Sequence, residues 1–126
     1  MVDNSLTKLI GVPYRDEGRG PDFYDCYGLI KHLYQNQLNV DIPDYRSPED
    51  RRLVSAIFRS ELRLWAPCEK QFGAVALLRV PGMFHCGFML NNNDFIHTWE
   101  HSGGVCIEQL SDWSARLVGV YKYVGK

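Results

Sequence analysis

The hydrophobic period changes once along this chain, near Leu62, and that change restricts the fold more than any other feature. Ahead of it, apolar residues recur at helical spacing; behind it, they alternate. Cys26, Leu29, Ile30, Leu33 and Tyr34 share one face of a predicted helix from Cys26 to about Gln37, with Asp25 in the N-cap position. A second helix is expected from Ser47, its cap, through Pro48 at the first helical position to Glu61, burying Leu53, Val54, Ile57 and Phe58. "NSLTKLIG" reads as a short helix that Gly11 ends. From Leu62 the segments "LRLWAP", "GAVALLRV", "FHCGFML", "DFIHTW", "GVCIEQL" and "LVGVYKYV" read as five or six short strands. Helices followed by strands predict an α+β fold, with the helices packed on an antiparallel sheet. No linker or repeat divides the chain, so residues 1–126 are read as a single domain.

Composition narrows the functional classes. Apolar residues make up 45% of the chain, as in globular proteins, and the formal net charge of −1 argues against a nucleic-acid partner. The longest apolar runs are too short to insert into a membrane. "MVDNSLTKLIG" lacks the basic start and apolar core of a signal peptide, so synthesis in the cytoplasm is expected, with any exported role served by another route. The four cysteines include no C-x-x-C pair, and neighbours His85 and Cys86 point to opposite faces of a strand. Neither a disulfide framework nor a metal site or other cofactor is expected.

The loop Val12–Asp25 carries two glycines and two prolines, and loops of this length in small domains are often functional. It leads to Cys26 at a helix N-terminus, where partial positive charge and free N–H groups favour a thiolate and an adjacent oxyanion. A cysteine on a helix's apolar face is usually just packing. Nucleophilic chemistry requires a base and a group to orient it. His85 and His97 lie on strands joined by "NNN", a loop expected to place one asparagine at positive φ. Pairing Leu90 with Asp94 sets Gly87 opposite His97 and His85 opposite Trp99, all on one face. Gly87 then leaves room for an imidazole, and a slip of one residue would separate the histidines. The second histidine, accepting or donating at the first ring's far nitrogen, would fix its tautomer.

These residues together resemble the NlpC/P60 family of cysteine peptidases, a small papain-like fold. The family's "G-x-P-Y … [FW]-D-C-S-G-L-V" block is similar to "GVPYRDEGRGPDFYDCYGLI". Its "H-V-G-I-Y-L … n-x-x-F-I-H-A" block is similar to "HCGFMLNNNDFIHTW", and the resemblance runs from about Leu9 to Tyr123. It implies catalytic roles for Cys26 as nucleophile, His85 as base and His97 as the orienting group. It implies that Tyr14 lines the site and that Asp25 helps bind the substrate's amino end. The substrate implied is a peptidoglycan stem peptide, cut after γ-D-glutamate beside diaminopimelate.

Two departures qualify the match. Tyr27 replaces the serine that follows the family's nucleophile, so a differently shaped subsite for the substrate amine is expected. "FGA" replaces "PGD", so Ala74 stands where an aspartate normally serves the turn. The "D-C-Y-G" and "IPDY" pattern resembles NlpC/P60 domains of bacteriophage tail assembly proteins, which implies other phage tail proteins as partners and a place in the virion tail. The rival readings are a thiol amidase or acyltransferase on another acyl group, and a tail-tip structural protein with a vestigial site. Trp99, on the histidines' face, is expected to wall the substrate site. Trp65 and Trp113 are expected in the core, Cys68, Cys86 and Cys106 as buried packing, His32 in solvent, and His101 at the cleft border.

Overall fold

The computed structural model describes residues 4–43, 64–81 and 83–125. The helix expected between Ser47 and Glu61 lies outside the described residues. The elements run α1 (Asn4–Thr7), α2 (Cys26–Leu38), β1 (Trp65–Pro67), β2 (Val75–Val80), β3 (Met83–Met89), β4 (Asp94–His97), β5 (Cys106–Gln109), a 3-10 helix (Leu110–Arg116) and β6 (Leu117–Tyr123). The strands form one six-stranded sheet in the order β1-β6-β2-β3-β4-β5, with antiparallel neighbours throughout. The α+β fold read from the change of period is therefore present.

Helix α2 begins and ends as its sequence dictates. The Asp25 side chain accepts the Gly28 N–H at 2.6 Å, capping the first turn. At the other end Asn39 takes the left-handed conformation, φ 55° and ψ 39°, and returns its N–H to Gln35 O. Leu29, Ile30, Leu33 and Tyr34 are buried against Val75, Leu77, Phe88 and Ile96 of the sheet. Trp65 and Phe88 meet the edge of the Tyr34 ring at 5.9 and 5.7 Å between centroids. The helix thus rests on one face of the sheet. Ala76, Leu78, Met89 and Phe95 build a second cluster with Leu110 and Trp113. The 3-10 helix that supplies Leu110 and Trp113 was not expected from the sequence, because so short an element shows no clear hydrophobic period.

The loop ahead of Cys26 is ordered by its own backbone. Tyr14 and Tyr24 form a parallel bridge, and the Asp25 N–H donates to Gly18 O at 3.1 Å. Gly28 permits this packing: a Cβ there would lie 2.0 Å from Gly18 O, a backbone atom. Ala favours a helix, but no rotamer relieves such a clash. Gly28→Ala is expected to cost about 3 kcal/mol or more, read by chemical denaturation. A neutral or stabilising result would mean that the loop does not rest on α2.

Candidate active site

Strands β3 and β4 bring His85 and His97 together. The Leu90 N–H donates to Asp94 O at 2.8 Å, and Phe88 pairs with Ile96 and Met89 with Phe95, which is the expected register. The turn itself differs from expectation. None of Asn91, Asn92 and Asn93 takes positive φ. Instead the Asn91 side-chain oxygen accepts the N–H groups of Asn93 and Asp94 at 2.8 and 2.7 Å, so a side chain shapes the turn.

Both histidines are fully buried, and His85 Nε2 lies 2.7 Å from His97 Nδ1. Gly87 serves them more broadly than the sequence suggested. A Cβ on Gly87 would sit 2.4 Å from Cδ2 of Phe95. The space is taken by the Phe95 ring, which stacks on His97 with centroids 4.4 Å apart. Gly87 therefore admits the ring that flanks His97 as well as His97 itself, whose Cβ would lie 3.2 Å from a Cβ there.

The far nitrogen of His97 has a partner that the sequence reading missed. Glu108 Oε2 lies 2.7 Å from His97 Nε2. In the β4–β5 ladder His97 pairs with Cys106 and Phe95 with Glu108, so Glu108 is the diagonal neighbour of His97 on the same face. The alternation of "CIEQ" puts Cys106 and Glu108 on one face, but only the register shows which residues they meet. Trp113 donates its indole N–H to Glu108 Oε1 at 3.2 Å and lies 5.3 Å from the His97 ring. It is half-buried over the histidines rather than deep in the core.

Cys26 opens α2 and is partly exposed, while Cys86 on β3 is buried. A hydrogen bond from Cys86 holds the Cys26 thiol well below the ordinary range; burial opposes this and the His85 ring supports it. Cys86 is pushed well above its ordinary value, first by that bond and then by burial, so it stays a thiol. His85 Nδ1 is buried and has no hydrogen-bond partner among the described residues. Cys86 is thus more than packing. Cys68 and Cys106 are partly exposed, not buried as expected.

His97, Cys106 and Glu108 place nitrogen, sulfur and oxygen donors within 4.8 Å of one another. The expectation that no metal-binding group would occur came from spacing along the chain, and two paired strands evade that criterion. The 2.7 Å contact between His97 and Glu108 is nevertheless a hydrogen bond. Two ligands of a tetrahedral zinc, each bonded at about 2.0 Å, would stand roughly 3.3 Å apart.

Burial and the neighbouring His85 push His97 down to about 4, with Glu108 opposing them. The sign follows directly. A base whose folded-state pKa is depressed stabilises the fold above its unfolded value, near 6.5, and that stability is lost as pH falls toward 4. The loss is on the order of 3 kcal/mol. His97→Gln, which has no such proton to take up, should show a flatter stability profile across that window by denaturant titration. Equal acid sensitivity in both proteins would contradict the assignment.

The sequence model of the NlpC/P60 family matches residues 11–122. The chain belongs to the NlpC/P60 family. It is 29% identical over 110 residues to the murein DD-endopeptidase MepS/murein LD-carboxypeptidase of Escherichia coli strain K12, covering 84% of this chain. It spans about half, 53%, of that relative's length. Among solved structures, the NlpC/p60 domain of the peptidoglycan hydrolase SagA superposes with a TM-score of 0.61 at 21% identity, covering 94% of this chain and 92% of that one. NlpC2 from Trichomonas vaginalis gives 0.62 at 19% identity, covering 95% and 45%. These two establish a shared NlpC/P60 fold.

The remaining residues that the NlpC/P60 resemblance singled out have mixed placements. Tyr14 is half-buried and donates its hydroxyl to Asp16 at 2.8 Å. Its pKa is raised by burial and that bond, and by the negative charge of Cys26, which places it beside the nucleophile position. Asp25 is buried, and its Oδ1 serves both the Gly28 N–H and the Arg19 guanidinium, at 2.6 and 2.8 Å. Burial and then Cys26 raise it to about 6 against these two donors. That oxygen is committed to holding the loop and α2 together. Tyr27 turns inward: it is buried in the main cluster, and its hydroxyl donates to Pro43 O at 2.5 Å. The structure gives its ring a packing place, because the hydroxyl finds a carbonyl acceptor inside the fold. Trp99 is half-exposed, with its ring 5.9 Å from that of His85, and it meets the exposed His101 at 5.0 Å. His32 is half-buried against Tyr24, with centroids 5.4 Å apart, rather than solvated.

Proposed function

We propose that this chain is a cysteine-type endopeptidase acting on peptidoglycan stem peptides, with Cys26, His85 and His97 as its catalytic set. The observation that carries the reading is a depressed thiol at a helix N-terminus beside a buried, hydrogen-bonded pair of histidines. Family membership and the names of the MepS and SagA relatives support the substrate class.

The reaction proceeds through a thioester. The Cys26 thiolate attacks the amide carbon, and the carbonyl oxygen takes the negative charge near the N-terminus of α2. The C–N bond breaks as His85 gives its proton to the leaving amine. Water, deprotonated by His85, then attacks the thioester, releasing a carboxylate and restoring the thiolate. His97 keeps the His85 ring oriented throughout. Tyr14 and Trp99 border the site, and the charged Arg19–Asp25 pair lies beside it. Tyr27 stands next to Cys26 and bounds the amine subsite from the buried side, its hydroxyl held by Pro43 O.

The bond proposed is the one between γ-D-glutamate and diaminopimelate, on family resemblance. A place in a bacteriophage tail is proposed from the "D-C-Y-G … IPDY" pattern, with other tail proteins as partners. Incubation with purified peptidoglycan, followed by mass spectrometry of released fragments, tests the reading. Muropeptides cut after γ-D-glutamate are expected. Cleavage between stem peptides would shift the bond to the type named for MepS. Release of a non-peptide acyl group would favour the amidase or acyltransferase, and no release would favour a structural tail-tip protein.

A further inference from the structure

His97 has two hydrogen-bonded nitrogens, and which of them carries the proton decides what His85 can do. Nδ1 meets His85 Nε2 and Nε2 meets Glu108 Oε2, each at 2.7 Å. An ionised carboxylate can only accept, so His97 Nε2 must donate to it. Neutral His97 then has a lone pair on Nδ1, and His85 Nε2 must donate in turn. That leaves His85 Nδ1, the nitrogen without a hydrogen-bond partner among the described residues, to exchange a proton with Cys26. Reversing the chain would protonate His97 Nδ1, turn His85 Nε2 into an acceptor and block Nδ1 of the neutral ring.

We infer that Glu108 is a positioning residue: its carboxylate fixes the tautomers of both histidines so that His85 presents Nδ1 to Cys26. The carboxylate is well placed for this. Trp113 donates to its other oxygen, and the Cys106 thiol lies 3.6 Å from Oε2. Partial burial works to raise the Glu108 carboxyl, but the hydrogen bonds from His97 and Trp113 outweigh it and keep the group ionised. A carboxylate behind a histidine is a recurrent way of setting ring orientation and basicity.

The inference rests on the proposed catalytic set, but its main readout does not require turnover. Long-range 1H–15N spectra of the imidazoles at neutral pH, assigned with His85→Gln and His97→Gln, report the tautomers directly. In the wild type His97 is expected as the Nε2–H form facing a protonated Nε2 of His85, with a substantial Nδ1–H population at His97 in Glu108→Ala. Glu108→Gln, nearly isosteric and half-exposed, guards against misfolding and should fall between them, because its amide can accept or donate. On a stem-peptide substrate, kcat in Glu108→Ala should drop about 10- to 100-fold with KM little changed. Unchanged tautomers in Glu108→Ala would overturn the inference. Tautomers that shift in Glu108→Ala, in a protein whose wild type cuts no stem peptide, would support it while overturning the substrate reading.

Discussion

Cys26→Ala is expected to abolish cleavage of peptidoglycan peptides, lowering kcat/KM at least ten-thousandfold while leaving the fold in place. The size follows from the chemistry: without sulfur no thioester forms, and only binding and oxyanion stabilisation remain. The fold should survive because Cys26 is partly exposed at the start of α2, while the helix is capped by Asp25 and anchored by Leu29, Ile30 and Leu33. A stability change within about 1 kcal/mol is expected. Alkylation of Cys26 should have the same effect on activity. Hydrolysis that persists after Cys26→Ala would assign the chemistry to another group.

His85→Gln is the second large effect. It removes both the proton donor for the leaving amine and the ring that supports the thiolate, so a fall of about a thousandfold or more is expected in kcat/KM. Glutamine can keep a hydrogen bond toward His97 but cannot carry the proton. The loss should therefore fall on kcat, with substrate binding preserved. A variant that loses binding and keeps kcat would make His85 a substrate contact instead.

The sequence was most informative where one rule governed the outcome. The Leu90–Asp94 register followed from the three-residue "NNN" turn, and a slip of one residue would have put His85 and His97 on opposite faces. Asp25 as the cap of α2 followed from local chemistry. What stayed hidden depended on contacts between distant segments. Glu108 reaches His97 only through the β4–β5 register. Trp113 covers the histidines from a 3-10 helix that has no strong sequence pattern. Cys86 meets Cys26 because α2 packs on the sheet with its N-terminus against β3. Tyr27 turned inward because the backbone carbonyl of Pro43, sixteen residues away, accepts its hydroxyl hydrogen bond.

The pH dependence of Cys26 alkylation by iodoacetamide, followed by peptide mass spectrometry, tests the central claim most directly. Cys106, raised to about 11 by burial and Glu108, serves as an internal control that reacts only at high pH. Cys26 should already react at its full rate near neutrality, well below the ordinary thiol midpoint of about 8.5, and His85→Gln should move its profile upward. A Cys26 profile that rises with an ordinary midpoint, and is unchanged in His85→Gln, would contradict an activated nucleophile at this site.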